Sequence, residues 1–118
     1  MGSEDSLGFV ETYGMVAAIE AADAMAKAAR VRVKTVVNAD LGLLSVICEG
    51  DLAACRAAVD AGRAAAERVG KCTATNVIGR PDQETEGFID EGIPSTLMPR
   101  QTDLASRSKP RRKGRDKT

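Results

Sequence analysis

The chain has 118 residues, 43% of them apolar and 29% charged, which suits one soluble globular domain rather than a disordered or membrane-embedded chain. Seventeen Lys+Arg balance seventeen Asp+Glu, but the balance hides a segregation: residues 1–99 hold nine bases and fifteen acids, and residues 100–118 hold eight bases and two acids. The absence of His excludes an imidazole base, a histidine triad and a His-ligated metal, while three Cys cannot complete a disulfide framework and fit a reducing compartment.

No apolar run approaches the ~20 residues needed to span a bilayer, so no membrane association is expected. The acidic start, Met1-Gly2-Ser3-Glu4-Asp5, lacks the layout of a signal peptide and reads as a short N-terminal extension, 1–5. Leu7 to Val10 forms a short apolar run, read as a strand, and Glu11-Thr12-Tyr13-Gly14 reads as the turn that ends it. From Met15 to Ala29 an Ala-rich stretch without Gly or Pro predicts a helix. One side of it carries Val16, Ile19, Ala22, Asp23 and Ala26, and a neighbouring apolar stripe carries Met15, Ala18, Ala22, Met25 and Ala29.

Val31 to Val37 opens with strict alternation, the period of a half-buried strand. Asn38-Ala39-Asp40-Leu41-Gly42 is a loop, and Leu43 to Cys48 is a second β-rich run, so the two strands read as a hairpin. Asp51 is placed to cap a helix from Leu52 to about Arg68, with Gly70 as its stop. Its apolar face is Leu52, Cys55, Val59, Gly62, Ala66 and Val69. Cys72 to Ile78 supplies a fourth strand, ended by Gly79-Arg80-Pro81.

The order β-α-β-β-α-β predicts an α+β, ferredoxin-like sandwich: an antiparallel four-stranded sheet with both helices on one face. Two helices leave the other face uncovered. Residues 82–93 could add a helical turn around Thr85 to Asp90, and from about residue 94 the chain is too poor in apolar residues to offset its ordering entropy, so it reads as disordered. Such a fold by itself says nothing about activity.

The segments Leu7-Gly8-Phe9-Val10-Glu11-Thr12-Tyr13-Gly14 and Ala17-Ala18-Ile19-Glu20-Ala21-Ala22-Asp23-Ala24-Met25-Ala26-Lys27-Ala28-Ala29 resemble the opening of a bacterial microcompartment (BMC-domain) shell protein. Gly50-Asp51, Val59-Asp60-Ala61-Gly62 and Val77-Ile78-Gly79-Arg80-Pro81 follow in the matching order. The similarity spans about 6–82, leaving 83–118 as a C-terminal extension. It implies a structural protein and not an enzyme: a cyclic homohexamer of the single-domain class that tiles laterally with other shell proteins and carries a central metabolite pore. It also implies a location in a cytoplasmic microcompartment and no cofactor.

By the same resemblance, Lys27 and Arg80 match lysine and arginine positions at the hexamer edge, and Arg30 stands beside them where the family often has Asn. Gly79 and Asp82 replace a usual Pro and a usual His. Asp40-Leu41-Gly42 aligns with the pore tripeptide, often Gly-Ser-Gly-like, of which Gly42 alone keeps the pattern. Six copies of Leu41 would form an apolar collar beside an acidic ring of Asp40. Cys48, Cys55 and Cys72 form no C-x-x-C pair and read as small buried thiols, with no metal site.

The tail residues Lys109, Arg111, Arg112, Lys113, Arg115 and Lys117 form a basic patch. Without aromatics for base stacking, an acidic protein surface, including encapsulated enzymes or the body itself, is a better partner than nucleic acid. The alternative reading of the chain is a ferredoxin-like oligomeric module that binds a small regulatory ligand.

Overall fold

The computed structural model describes residues 5–38 and 40–92, apart from the side chains of 35–40 and of 92. Its elements are β1 (Ser6–Tyr13), α1 (Met15–Ala28), β2 (Arg32–Asn38), a 3-10 turn (Asp40–Gly42), β3 (Leu43–Gly50), α2 (Leu52–Val69), β4 (Lys71–Ile78), α3 (Gln83–Gly87) and a closing π-helical turn (Phe88–Gly92). The sheet order is β2-β3-β1-β4 and every pairing is antiparallel, as the βαββαβ reading requires.

Period-2 alternation sorts the strand residues between two faces. Val10 of β1 and Leu44, Val46 and Cys48 of β3 turn toward the helices, where they meet Ala17, Ala18, Ala21 and Met25 of α1 and Cys55, Ala58, Val59 and Ala66 of α2. Small side chains let both helices lie close to the sheet. The caps act as their residue types suggest: Asp51 accepts from the Ala54 amide at 2.8 Å, and the Gly70 amide donates to the Ala66 carbonyl.

One expectation is corrected, and two points that the sequence left open are resolved. The first strand continues through Glu11, Thr12 and Tyr13, because these residues pair with Leu43–Ser45 on one side and with Lys71, Cys72 and Ala74 on the other. The buried Thr12 is accommodated because its hydroxyl donates to the Gly14 carbonyl at 3.2 Å. Second, of the two stripes on α1 it is the one with Ala18, Ala22, Met25 and Ala29 that faces the core, while Val16 and Ile19 face out at 67% and 51% exposure. In α2, likewise, Leu52 and Val69 are partly exposed while Ala58 and Ala65 are buried.

Third, the sheet face left bare by the two helices is partly covered. Residues 83–92 are helical throughout, and Ile89 packs against Leu7, Ile47 and Phe9 on that face. The stretch from residue 93, with the disorder expected there and the basic patch, lies outside the described residues.

Candidate functional site

The turn between β2 and β3 is built from an unusual residue choice. Leu41 has φ 67° and ψ 25°, the left-handed region, and is 87% exposed. Gly42 beside it has φ 79°, where glycine is at ease. The turn is tied to the β1–α1 junction, because the Gly14 amide (φ 89°) donates to the Gly42 carbonyl at 2.8 Å. The Asp40 side chain lies outside the described residues, so the acidic ring is untested by the geometry.

Sheet register places this turn at one end of the domain, where Tyr13 pairs with Leu43 and Asn38 with Leu44. Around it lie exposed apolar groups on neighbouring elements: Tyr13, Met15 and Val16. Lys27, Arg30 and Arg80 belong to the opposite end. Arg30 leads into β2 where Arg32 pairs with Glu49, and Arg80 follows β4 just after Ile78 pairs with Leu7. Lys27 lies in the last turn of α1, a helix of 14 residues that runs away from the Gly14 end over about 20 Å.

Lys27 and Arg80 differ in their local settings. The Lys27 ammonium is 2.8 Å from Asp23, one helical turn back, and that hydrogen bond, with the Asp23 charge, holds its pKa above the ordinary lysine value. Both partners are largely exposed, so the pair is easily exchanged for others. Arg80 is exposed at φ 56° immediately before Pro81, a conformation a pre-proline residue seldom takes. The departure at Asp82 has a local cause: its carboxylate accepts from the Glu84 amide at 2.9 Å and caps α3.

One cluster escaped the sequence reading. Strand alternation puts Lys34 on the same sheet face as Arg32, away from α1 and α2 and opposite Val33, next to a register shift between Val33 and Thr35. There the Lys34 ammonium meets Glu49 at 2.9 Å and Asp90 at 2.8 Å, and Arg32 reaches Glu49 at 3.2 Å. Burial acts to lower the Lys34 pKa, but the hydrogen bonds to Asp90 and Glu49 outweigh it and raise the pKa overall. Burial likewise opposes ionisation of Glu49, yet Lys34 holds its carboxyl below the usual value. The signal available in sequence was Lys34 itself, a cation in an alternating strand that needs carboxylates nearby.

The thiols are not a site. Cys48 and Cys55 are buried, and burial pushes the Cys48 thiol up to about 12. Cys55 donates to the Ser6 carbonyl at 3.4 Å. Among the described residues no group of His, Cys, Asp and Glu is arranged to hold a metal, and no helix is long and apolar enough to cross a membrane. A thiol reagent at pH 8 is expected to modify half-buried Cys72 first, with Cys48 and Cys55 reacting only on unfolding. Mass spectrometry of the labelled native protein checks this, and early modification of Cys48 would contradict it.

A BMC domain family model matches residues 6–81, the whole sheet and both long helices. The chain belongs to the BMC-domain family. It is 47% identical over 89 residues to the bacterial microcompartment shell protein EutM of Escherichia coli (strain K12), covering 75% of this chain and 92% of EutM. It is 48% identical over 90 residues to the shell protein PduA of Salmonella typhimurium, covering 76% of this chain and 96% of PduA. Against the shell protein EutK of Salmonella typhimurium it is 53% identical over 85 residues, covering 72% of this chain. It spans only about half (52%) of the EutK length. Among solved structures, a microcompartment protein from Desulfitobacterium hafniense aligns with TM-score 0.67 at 31% identity, over 80% of this chain and 51% of that one. BMC-domain shell proteins are structural rather than catalytic.

Proposed function

We propose that this BMC-domain chain is a structural tile of a bacterial microcompartment shell. In this reading it forms a cyclic homohexamer with the 40–42 turns around the axis. Lys27, Arg30 and Arg80 lie at the perimeter, where tiles meet other shell proteins. The observation that carries the reading is the separation just described: the turn sits at one end of the domain and the three cations at the other. In a ring, that arrangement lets the turns meet at the axis while the cations face the perimeter. The exposed Tyr13, Met15 and Val16 at the turn end give a neighbouring copy apolar surface to bury.

At the axis, six Leu41 side chains form an apolar collar, which favours small uncharged molecules over anions and polar aldehydes. At the perimeter, the Lys27 stem packs along a neighbouring tile and its ammonium, released from Asp23, donates to that tile's carbonyls. The basic tail of each copy contacts acidic protein surfaces, and six tails per ring multiply a weak contact into a useful one.

Native mass measurement tests the ring: a hexamer is expected, and a stable dimer or tetramer would favour a regulatory module instead. Lys27→Ala is expected to leave hexamers intact and to abolish sheets or tubes in electron micrographs. Sheets indistinguishable from wild type would remove Lys27 from the perimeter contact.

A further inference from the structure

Tyr13 is the last residue of β1 and pairs with Leu43 on one side and Lys71 on the other. Alternation puts it on the sheet face away from α1 and α2, in line with Leu7 and Phe9. Ile89 packs on Leu7, Phe9 and Ile47, whereas Tyr13, farther along the strand, is 60% exposed. Its ring lies against the 40–42 turn. A carbon added at Gly42 would stand 3.7 Å from Tyr13 Cε2 and 3.8 Å from Cζ, so the contact is made by the hydroxyl-bearing end of the ring. Among the described residues that hydroxyl has no hydrogen-bond partner. An apolar body with a polar tip, neither of them covered within one copy, suits a contact with another.

Two geometric properties of a cyclic ring say where that contact falls. Each copy meets the next head to tail, through two different surfaces. The turn has exposed apolar groups on both of its sides: Tyr13 on one sheet face, and Met15 and Val16 on α1, which packs on the other. In a six-fold ring, moreover, equivalent points on neighbouring copies are as far apart as each is from the axis, like the corners and centre of a regular hexagon. Groups close to the axis are therefore equally close to the next copy. Because Tyr13 touches the turn, convergence of six turns brings it within reach of the adjacent one.

We infer that, in the ring proposed above, Tyr13 is the seam residue of the collar: its ring fills the gap between its own turn and that of the adjacent copy, and its hydroxyl donates to a backbone carbonyl of that adjacent turn. This role rests on the ring and names the partner of the same turn. The collar is then held twice, within each copy by the Gly14 amide on the Gly42 carbonyl and between copies by Tyr13.

Native mass and tyrosine emission of the full chain, wild type against Tyr13→Phe, test the seam. Tyr13 is the one tyrosine and there is no tryptophan, so the wild-type emission reports this side chain alone. Iodide is expected to quench it weakly in hexamers, and more strongly on dilution in step with their loss. Tyr13→Phe keeps the ring against Gly42 and removes a hydroxyl without a partner in its own copy, so folding is not threatened. Taking one copy out of a closed ring breaks two seams. At about fivefold per hydrogen bond, Tyr13→Phe rings are expected to shed a copy at roughly 25-fold higher concentration than wild type. Hexamers whose tyrosine is quenched as freely as a tyrosine amide in water, or Tyr13→Phe rings that persist to the wild-type dilution, would overturn the seam and leave the ring standing. A wild type that is not hexameric would overturn both.

Discussion

Leu41→Gly is expected to raise the unfolding free energy by up to about 1 kcal/mol, although it removes a large side chain. At φ 67° the Leu41 Cβ is crowded by its own backbone. That left-handed conformation costs an L-residue roughly 1–2 kcal/mol, part of which glycine gives back through its greater freedom when unfolded. Nothing is lost in packing, because Leu41 is 87% exposed. Leu41→Ser keeps a Cβ and therefore the strain, so its stability should stay within about 0.5 kcal/mol of wild type. The two variants separate backbone from collar. If the turn lines a hexamer pore, both open the apolar constriction and both speed entry of small anions and polar aldehydes into intact shells, measured by turnover of an enclosed enzyme. Equal permeation by wild type and Leu41→Ser would sink the collar.

Two unfavourable choices at one residue, an exposed apolar side chain and a left-handed backbone, have no use within a single copy. Strain of this kind persists only where the surroundings hold it, and here the Gly14 to Gly42 hydrogen bond does so from the β1–α1 junction. The turn is therefore prepared before assembly. A ring would present six leucines already fixed in direction.

What the sequence displayed and what it hid divide along physical lines. Element order and both α2 caps were legible because Asp51 and Gly70 act locally, through bonds to residues three or four positions away. The length of β1 was not: Glu11 and Thr12 break the apolar run, and only pairing with both β3 and β4 makes them strand. Nor could an Ala-rich helix announce its buried side. Two stripes were legible, one with Val16 and Ile19 and one with Ala18 and Met25, and packing against the sheet and α2 selects the second together with Ala17 and Ala21. For the candidate site, the residue types at 27, 41 and 80 were visible, but their separation to opposite ends depends on sheet register. Lys34 itself was visible in the alternating strand, but its partners Glu49 and Asp90 lie 15 and 56 residues away and meet it only in the fold. Charge shows the same division. The acidity inferred from composition is not spread over the body: residues 5–81 carry nine acids and nine bases, and residues 82–92 carry five acids and no base.

The tight packing behind these small residues has a consequence for stability at Gly8. A Cβ there would lie 2.8 Å from the Cys48 sulfur and 2.8 Å from a Val59 methyl. Both neighbours are short, buried and unable to swing aside, since Cys48 is fully enclosed and Val59 is 5% exposed. Replacing a strand glycine by alanine would ordinarily gain about 0.5–1 kcal/mol from a stiffer unfolded chain. Here overpacking is the larger effect, and Gly8→Ala is expected to lose about 1–3 kcal/mol in urea unfolding. Gly62→Ala should lose less: its closest obstacle is Met25, whose Cγ lies 2.6 Å from the added carbon but whose thioether adapts, and helix propensity returns about 1 kcal/mol. Gly87→Ala, with nothing within 4 Å of the added carbon, is the control without overpacking and, being helical, should gain up to about 1 kcal/mol. Val59→Ala opens space at the Gly8 contact, so Gly8→Ala combined with Val59→Ala should fall short of the summed single losses by about 1 kcal/mol. Strict additivity in that cycle, or a Gly8→Ala protein as stable as wild type, would show that α2 stands farther from β1 than these distances say.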